Sequence, residues 1–314
     1  MIYPYTRSSN LFNLLGAFVR PGQLPPEVEP EFYRLLHSEL KDKTDDEIIA
    51  HFHENGKAAG AVGSPAAHRS GFVKTLPPDA DVLEIGPFTK AAVIGPKVKY
   101  FDVLTKEALL ERAEKLGFPT DRVVGIDYVS PVGDLSIVPD SSFDCAFSSH
   151  CIEHQPDLVR HLRHVARILR EGGRYYLIIP DKRYCFDHFL EASSAEKVVE
   201  AYEDKRTVHT VTSVFEHHAL TTHSDPIGHW SGWHTDPNEG EFRSRTAHAL
   251  RLVEEAKGGY IDVHAWQFTP DSFRALMPEL KNLGLIELEI ERVYDTVWSQ
   301  YEFMAVLRKT SDRE

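Results

Sequence analysis

The stretch Asp81-Val-Leu-Glu-Ile-Gly-Pro-Phe88 decides the fold that we predict for this chain. Its apolar run ends in an acidic residue and a glycine, a pattern typical of a buried strand and a turn whose backbone approaches a ligand closely. A second strand is predicted over residues 97–103, with Asp102 near its carboxyl end, where a carboxylate can accept hydrogen bonds from both hydroxyls of a ribose. Because parallel strands end at the same edge of a sheet, Gly86 and Asp102 should border one nucleotide-binding crevice.

The residues that follow continue the alternation of strands and helices. Thr105 is a suitable N-cap for a helix that Gly117 would close in the left-handed conformation. A third strand is predicted over residues 123–129 and a fourth over residues 142–148. Asp157 caps the next helix, whose apolar residues lie along one face and should pack against the sheet.

Two glycines and three further strands complete the predicted sheet. Gly172 and Gly173 should end the second helix, and residues 174–181 are apolar on both faces, as expected of a central parallel strand. Strands over residues 285–293 and 301–307 are joined by a loop too short for a helix, so they must pair antiparallel. The predicted fold class is therefore α/β, a doubly wound, seven-stranded, mostly parallel sheet with an antiparallel last strand.

Segments outside this pattern indicate how the chain is divided. Helices are predicted over residues 27–40 and 44–55, followed by a mobile connection rich in Gly, Ala and Ser over residues 56–70. Residues 91–96 are too short and too interrupted by Gly and Pro for a full first crossover helix. We expect an N-terminal helical extension, a nucleotide-binding core, a large cap inserted after strand five and a C-terminal part of the sheet, over residues 1–80, 81–181, 182–267 and 268–314.

Five short motifs resemble those of the class I S-adenosylmethionine-dependent methyltransferases of the small-molecule type. They are VLEIGPF, YFD, GDLSIVPDSSFD, CIEHQPDL and ILREGGRYYLIIPD, between residues 82 and 181. The resemblance implies a Rossmann-like methyltransferase fold, S-adenosylmethionine as cofactor and S-adenosylhomocysteine as product. One departure is that the family's first motif usually has three alternating glycines, whereas Phe88 and Lys90 stand where the second and third would fall.

The resemblance also implies which residues bind the cofactor and which could act as the base. The cofactor contacts carried over are Glu84, Gly86, Phe88, Asp102, Asp134, Leu135, Ser148 and Ser149. A base that removes the acceptor proton should lie at the carboxyl ends of the strands or just before the last helix, where the ligand crevice lies. The candidates are His150, His154, Asp181 and His264.

The cap contains a segment rich in histidine and tryptophan, over residues 215–236. It holds five of the 17 histidines and two of the 4 tryptophans of the chain. Aromatic rings with scattered polar groups are typical of a saccharide site, since rings cover apolar sugar faces and polar side chains bind hydroxyls. We therefore expect a small polar acceptor, the hydroxyl of a saccharide or related metabolite as in polysaccharide biosynthesis, to be bound by His217, His218, His223, His229, Trp230, Trp233 and His234.

The same histidines, with Asp225 and Asp236, could ligate a divalent cation. Their spacing does not support this, because no His-x-x-x-His pair lies on a convincing helix. A divalent metal is possible but not favoured, and no metal ligand is assigned.

Composition limits the partners that the chain can have. At 314 residues and a formal net charge of −13 it should repel nucleic acid phosphates, so we expect a small-molecule substrate and no nucleic acid. No apolar stretch is long enough for a membrane span, and residues 11–19 lack the pattern of a signal peptide. Three cysteines give no disulfide framework, which fits a reducing, cytoplasmic compartment. The oligomeric state stays open.

Two alternatives belong to other classes of protein. A noncatalytic binding module could keep the cofactor fold and use the cap for a partner, and the altered glycine motif leaves room for this. A nicotinamide-dependent oxidoreductase is a third hypothesis, which the order of the C-terminal strands disfavours.

Overall fold

A seven-stranded sheet forms the centre of the protein, which is described here from a computed structural model covering residues 18–236 and 240–310. The strands are β1 (Val82–Ile85), β2 (Val98–Asp102), β3 (Tyr128–Val129), β4 (Phe143–Ser149), β5 (Leu169–Pro180), β6 (Leu288–Tyr294) and β7 (Glu302–Lys309). Their order across the sheet is β3-β2-β1-β4-β5-β7-β6. The first five strands pair in parallel, and β7 is antiparallel to both of its neighbours. The predicted fold class is confirmed.

Ten α-helices lie among the described residues. They are α1 (Pro30–Leu36), α2 (Asp45–His51), α3 (Arg69–Lys74), α4 (Lys106–Leu116), α5 (Leu158–Ile168), α6 (Ala195–Glu203), α7 (Val211–Ala219), α8 (Pro226–Trp230), α9 (Phe242–Ala256) and α10 (Pro270–Asn282). The predicted ends of α4 are confirmed, because Thr105 Oγ1 accepts a hydrogen bond from Ala108 N and Gly117 adopts φ 73°. Asp157 caps α5 in the same way. No helix of the described ranges is long and apolar enough to cross a membrane.

Two apolar layers cover the two faces of the sheet. On one face α5 and α10 pack through residues such as Leu162 and Phe273 against the sheet. On the other face, Phe72 of α3 packs against Tyr176 and Tyr294. Burial of both faces explains why residues 175–180 of β5, an interior strand of the sheet, show no alternation of apolar and polar residues.

The N-terminal extension is bonded to the last part of the sheet. Arg69 of α3 makes two hydrogen bonds to the carboxylate of Glu302, at 2.9 and 2.6 Å. Trp298 N donates to Gly60 O at 2.8 Å, and Tyr294 Oη donates to Pro25 O at 2.7 Å. The extension therefore packs against residues that lie more than two hundred positions later in the chain.

The predicted mobile connection over residues 56–70 is wrong. Ser64 and Ala66 are fully buried, and a short 3-10 helix (Pro65–Ala67) packs beside α3. A Cβ on Gly60 would lie 2.5 Å from Trp298 N, so the small residues of this segment allow close packing rather than mobility. For residues 91–96 the sequence predicts a distorted or abbreviated first crossover helix, but the structure has no helix there.

Two strand boundaries also differ from the prediction. β3 has only two residues instead of the span 123–129, because Asp127 bonds to Tyr100 through its side chain and its backbone before strand pairing begins. α5 ends at Ile168, before the two glycines, and β5 starts directly at Leu169. Gly172, at φ 71°, lies inside β5 where its pairing with β4 changes register, so the glycines serve an irregular strand rather than a helix end.

The cap has more helix than the sequence pattern indicated. The sequence pattern predicts two helices in the cap, over residues 193–204 and 239–256. α6 agrees with the first, and α9 agrees with the second except that the predicted start at residue 239 lies outside the described residues. α7 and α8 were not predicted; α7 ends within the histidine-rich segment and α8 lies inside it. Asp225, considered above as a metal ligand, caps α8 by accepting a hydrogen bond from Ile227 N.

Candidate active site

A cavity of about 400 Å³ opens at the carboxyl ends of β1, β2 and β4. Its other walls come from α4 and from residues 260–262, where the cap returns to the sheet. The lining residues are Ile85, Gly86, Phe88, Phe101, Asp102, Val103, Leu109, Arg112, Leu116, Phe118, Gly133, His150, Cys151, His154, Gln155, His161, Tyr260 and Asp262. Its position is where doubly wound sheets bind their ligands.

Gly86 begins the turn that borders this cavity. Its φ of 71° lies in the left-handed region that favours glycine, and its N–H donates to Phe101 O at 2.9 Å. An added Cβ would point towards Cys151 Sγ at 3.7 Å. The glycine thus keeps both the turn and the space beside it.

Asp102 lies beside Gly86, as predicted, and only 6% of it is exposed. Leu104 N donates to Asp102 Oδ1 at 3.1 Å, which fixes the carboxyl group at the end of β2. Burial raises the pKa of Asp102, although hydrogen bonds from backbone N–H groups act in the opposite direction. A ligand hydroxyl that donated to this carboxylate would stabilise its charged form.

Phe88 has the conformation of a glycine although it carries a large ring. Its φ is 46°, and its ring packs edge-on against Phe118 at 5.6 Å, with the Arg112 guanidinium 5.6 Å from the ring centre. The ring forms part of the wall and leaves the cavity open. Phe88 therefore supplies apolar surface at a position where the related proteins usually have glycine.

Glu84 does not line the cavity and instead organises the loop that follows β1. Its two oxygens accept hydrogen bonds from Ala92 N and Val93 N at 2.8 and 2.9 Å. Burial raises the pKa of Glu84 to about 7, and the two N–H groups oppose this shift. The carboxylate stands in for the missing crossover helix by holding residues 92 and 93 near the sheet.

The remaining predicted cofactor residues are not part of the cavity lining. Asp134 caps a 3-10 helix (Leu135–Ile137) through Ser136 N at 2.8 Å, and Leu135 is buried in the core. Ser148 Oγ is hydrogen bonded to Tyr175 Oη at 2.7 Å. Of this group, which includes Ser149, none lines the cavity, whereas the neighbouring Gly133 does. Their contact with the cofactor stays a prediction.

His150 is the candidate base with the clearest geometry. It lines the cavity, and its Nε2 lies 2.8 Å from Glu302 Oε2. Because a carboxylate only accepts, Nε2 carries the hydrogen and Nδ1 is free to take a proton. Burial would raise the pKa of Glu302, but hydrogen bonds from His150 and Arg69 lower it to about 2. The φ of His150 is 51°, a strained backbone often found at functional sites.

His154 also lines the cavity and faces a carboxylate on each side. Its Nδ1 lies 3.0 Å from Asp262 Oδ1, close enough for an ion pair though not aligned as a hydrogen bond, and Arg112 binds the same carboxylate at 2.6 Å. Its Nε2 lies 3.8 Å from Glu153 Oε1. Burial lowers the pKa of His154, but Asp262 and Glu153 outweigh burial and raise it.

The other two candidate bases lie deeper in the protein. His264 is buried, and its Nδ1 is 2.6 Å from Asp187 Oδ2. Asp181 is fully buried and is bound by Arg183 at 2.6 Å and by Thr296 Oγ1 at 2.6 Å. Neither residue lines the cavity. The hydrogen bonds of Asp181 to Arg183 and Thr296 fix the end of β5.

The aromatic residues of the cap lie apart from this cavity. Trp230 stacks on Tyr184 at 3.8 Å and donates from Nε1 to Gln300 O at 2.9 Å, while Trp233 is 57% exposed. The histidines of this part of the cap contact one another or neighbouring rings, and none of them lines the cavity; they are His217, His218, His223, His229 and His234. Their role in acceptor binding stays a prediction.

Several residues at this site were not found from the sequence. Arg112, Tyr260 and Asp262 reach the cavity from α4 and from the end of the cap. Glu302 and Asp187 hold candidate histidines from distant parts of the chain. Only Glu153 carried a local signal, since it belongs to the Glu-His motif after β4.

Comparisons with known proteins agree with this geometry. Residues 90–177 match the family model of the methyltransferase domain. The polyketide synthase-nonribosomal peptide synthetase TwmB of Talaromyces wortmannii is 26% identical over 178 residues, which are 52% of this chain and 6% of that protein. The chain thus spans a small fraction of the length of this curated relative.

Similar solved structures include two methyltransferases of low sequence identity. An S-adenosylmethionine-dependent methyltransferase of Methanosarcina mazei is 16% identical with a TM-score of 0.37, covering 76% of this chain and 95% of that one. The 1,6-didemethyltoxoflavin-N1-methyltransferase of Burkholderia thailandensis, solved with bound 1,6-didemethyltoxoflavin and S-adenosylhomocysteine, is 14% identical with a TM-score of 0.38, covering 93% of this chain and 95% of that one.

The matched segment runs from the loop before β2 into β5, so it contains β2 and β4 of the cavity, whereas β1 and Gly86 precede it. Together with the strand order of the sheet, this match defines a nucleotide-binding α/β protein of the methyltransferase type. This match to the methyltransferase domain confirms the resemblance seen in the motifs and the cofactor, S-adenosylmethionine, that it implied.

Proposed function

We propose that this protein transfers the methyl group of S-adenosylmethionine to a hydroxyl of a small polar acceptor, a saccharide or related metabolite. One observation carries the proposal. Asp102 and the Gly86 turn line the same cavity as His150, so a ribose-binding carboxylate and a candidate base border one space. Hydroxyl acceptors need such a base, because a neutral hydroxyl is a weak nucleophile at neutral pH.

In this proposal the chain holds the cofactor through the ends of β1 and β2. Asp102 accepts hydrogen bonds from the ribose hydroxyls, and the apolar wall that includes Phe88 and Leu109 covers the adenine. When bound, the cofactor supplies an electrophilic methyl group on a sulfonium. Catalysis by the protein then consists mainly of holding two reactants in line and excluding water.

His150 is proposed as the residue that takes the acceptor proton. The acceptor oxygen bonds to the methyl carbon, the carbon–sulfur bond breaks with its electron pair going to sulfur, and the hydroxyl proton moves to Nδ1 of His150. Glu302 receives the Nε2 hydrogen bond and stabilises the resulting imidazolium, while Arg69 fixes Glu302. This three-residue arrangement orients the ring as a base requires.

The test combines cofactor binding with methyl transfer. S-adenosylhomocysteine should bind in calorimetry, and label from methyl-labelled S-adenosylmethionine should appear on members of a panel of monosaccharides, nucleotide sugars and hydroxylated acids. His150→Asn should lower kcat at least tenfold with little change in S-adenosylhomocysteine affinity, whereas His53→Asn, at an exposed histidine, should change neither. Cofactor binding without transfer to any acceptor would support the noncatalytic alternative, and transfer to amines alone would exclude a hydroxyl acceptor.

A further inference from the structure

Glu153 is a buried carboxylate without the partners that such a group requires. It is 0% exposed, and neither of its side-chain oxygens has a hydrogen-bond partner within residues 18–236 and 240–310. Its backbone oxygen accepts from Ala265 N at 2.7 Å and from Trp266 N at 3.2 Å, which fixes the residue between β4 and the end of the cap. An unpaired buried charge is strongly unfavourable, so a positive group is expected beside it.

Three imidazole rings face this carboxylate. The distances to Glu153 Oε1 are 3.8 Å from His150 Nδ1, 3.8 Å from His154 Nε2 and 4.0 Å from His264 Nε2. These distances exceed a hydrogen bond. The ligand atoms of Glu153, His154 and His264 all lie within 4.8 Å of one another. Atoms bound to one cation at about 2.1 Å lie about 3 to 3.5 Å apart, so a shift of about 1 Å would close the group around an ion.

The far nitrogen of two of these rings faces another carboxylate, in a hydrogen bond for His264 and at ion-pair distance for His154. His264 Nδ1 lies 2.6 Å from Asp187 Oδ2, and His154 Nδ1 lies 3.0 Å from Asp262 Oδ1. A carboxylate holds the hydrogen on the ring nitrogen that it faces, which leaves the lone pair of Nε2 directed at Glu153. A carboxylate that holds the far nitrogen of a metal-binding histidine is the usual arrangement around a protein-bound cation.

The charge of the surroundings favours a divalent ion. Four carboxylates meet here and, within the described parts of the chain, two guanidinium groups bind them, which gives a formal charge of −2 with neutral imidazoles (two minus four). The carboxylates are Glu153, Asp187, Asp262 and Glu302, and the guanidinium groups are Arg69 and Arg112. One divalent cation would neutralise this charge and also supply the missing partner of Glu153.

We propose that Glu153, His154 and His264 bind one divalent first-row cation at the wall of the cofactor cavity. Two imidazoles and a carboxylate suit Zn²⁺, Mn²⁺, Fe²⁺ or Co²⁺ better than Mg²⁺. Because His154 also lines the cavity, open coordination positions face the space where the acceptor is proposed to bind. The role of the cation rests on the proposed function. It orients two acceptor oxygens and lowers the pKa of one acceptor hydroxyl, whose proton His150 then takes.

The site differs from the one considered from the sequence. In the cap, His188, His229 and His234 also bring three ring nitrogens within 4.8 Å. There, however, His229 Nδ1 and His234 Nδ1 lie 3.0 Å apart in a hydrogen bond and the rings of His188 and His234 stack at 3.9 Å, so these groups already satisfy one another. This second cluster provides a matched control.

The experiment titrates Co²⁺, Zn²⁺ and Mn²⁺ into chelator-treated full-length protein, followed by calorimetry and by the visible absorption of Co²⁺. One tight equivalent per chain is expected. Glu153→Gln, His154→Asn and His264→Asn should each weaken it at least a hundredfold. His234→Asn should keep it. Should Glu153→Gln unfold, the two histidine variants carry the test, with their fold checked by S-adenosylhomocysteine binding.

The possible results separate this proposal from the proposed function. The proposed buried site would be refuted if the wild type bound no cation tightly, or if His234→Asn alone among the variants lost tight cation binding. Metal binding that depends on Glu153 without methyl transfer would support the site and count against the proposed function. Methyl transfer that persists after chelation, in a protein that binds no metal, would support the proposed function and count against the metal site.

Discussion

Replacement of Asp102 by asparagine should separate its part in cofactor binding from its part in the fold. Asparagine has nearly the same volume and keeps one oxygen, which can still accept from Leu104 N at the 3.1 Å seen for Asp102 Oδ1. The change therefore removes the negative charge and leaves the turn after β2 intact. Any loss of cofactor affinity should then report the charge alone.

The expected loss follows from the burial of this carboxylate. Only 6% of Asp102 is exposed, so solvent screens its interactions weakly. Hydrogen bonds to a charged group contribute about 1.5 to 3 kcal/mol, so Asp102→Asn should weaken S-adenosylhomocysteine binding by about 10- to 150-fold. Since burial raises the pKa of Asp102, the charge is unfavourable without ligand, and the variant should unfold at a free energy no lower than the wild type.

Calorimetry with S-adenosylhomocysteine measures the first quantity and urea unfolding without ligand measures the second. Asp79→Asn, at an exposed carboxylate before β1, is the control and should change neither. An unchanged dissociation constant in a folded Asp102→Asn protein would remove Asp102 from the site. A less stable variant with normal affinity would mean that the carboxylate acts only in the turn.

Three further predictions test the neighbouring elements. The pKa of Glu84 is about 7 in the folded protein and 4.5 in the unfolded chain, so the wild type should lose about 3 kcal/mol of unfolding free energy as the pH rises from 5 to 8. Glu84→Gln should abolish this loss in urea unfolding, and a difference between the two proteins that does not change with pH would contradict the prediction. Gly86→Ala should cost about 1 kcal/mol in the same assay from its positive φ, without a steric clash; a cost near 4 kcal/mol would argue otherwise. Trp230→Ala should lower the free energy of unfolding by about 2 to 4 kcal/mol, whereas Trp233→Ala, at an exposed ring, should lower it by about 1 kcal/mol or less. Both variants should bind S-adenosylhomocysteine normally, and equal losses of stability would refute the packing described for Trp230.

The sheet could be predicted from the sequence because its signals are local. Caps such as Thr105 and Asp157 act over a few residues, and the apolar run of β5 identifies a central strand by itself. The boundaries that failed depended on tertiary contacts. β3 is shortened by the bonds between Asp127 and Tyr100, and the buried segment around Ser64 looks mobile only when its packing partners are unknown.

The site was only partly predictable, for the same reason. Gly86 and Asp102 follow strand ends in a known register, so their meeting could be foreseen. The surroundings of Glu153 could not, because they join residues separated by up to about 150 positions, such as His150 and Glu302. Trp230 and Trp233 were predicted to bind the acceptor from the aromatic composition of the cap. Composition shows which residues are present but not which residues they contact.

The bonds between the N-terminal extension and the last strands have a consequence for the order in which the protein folds. Arg69 and Gly60 leave the ribosome early, but their partners Glu302 and Trp298 are synthesised more than two hundred residues later. Similarly, β5 gains its neighbour β7 only after β6 has been made. The extension therefore remains without its packing surface through most of translation, exposing Phe72 and its neighbours. Long-range closure of this kind favours slow folding and makes nascent chains dependent on chaperones, so truncation near β7 should expose the apolar face of α3 to aggregation.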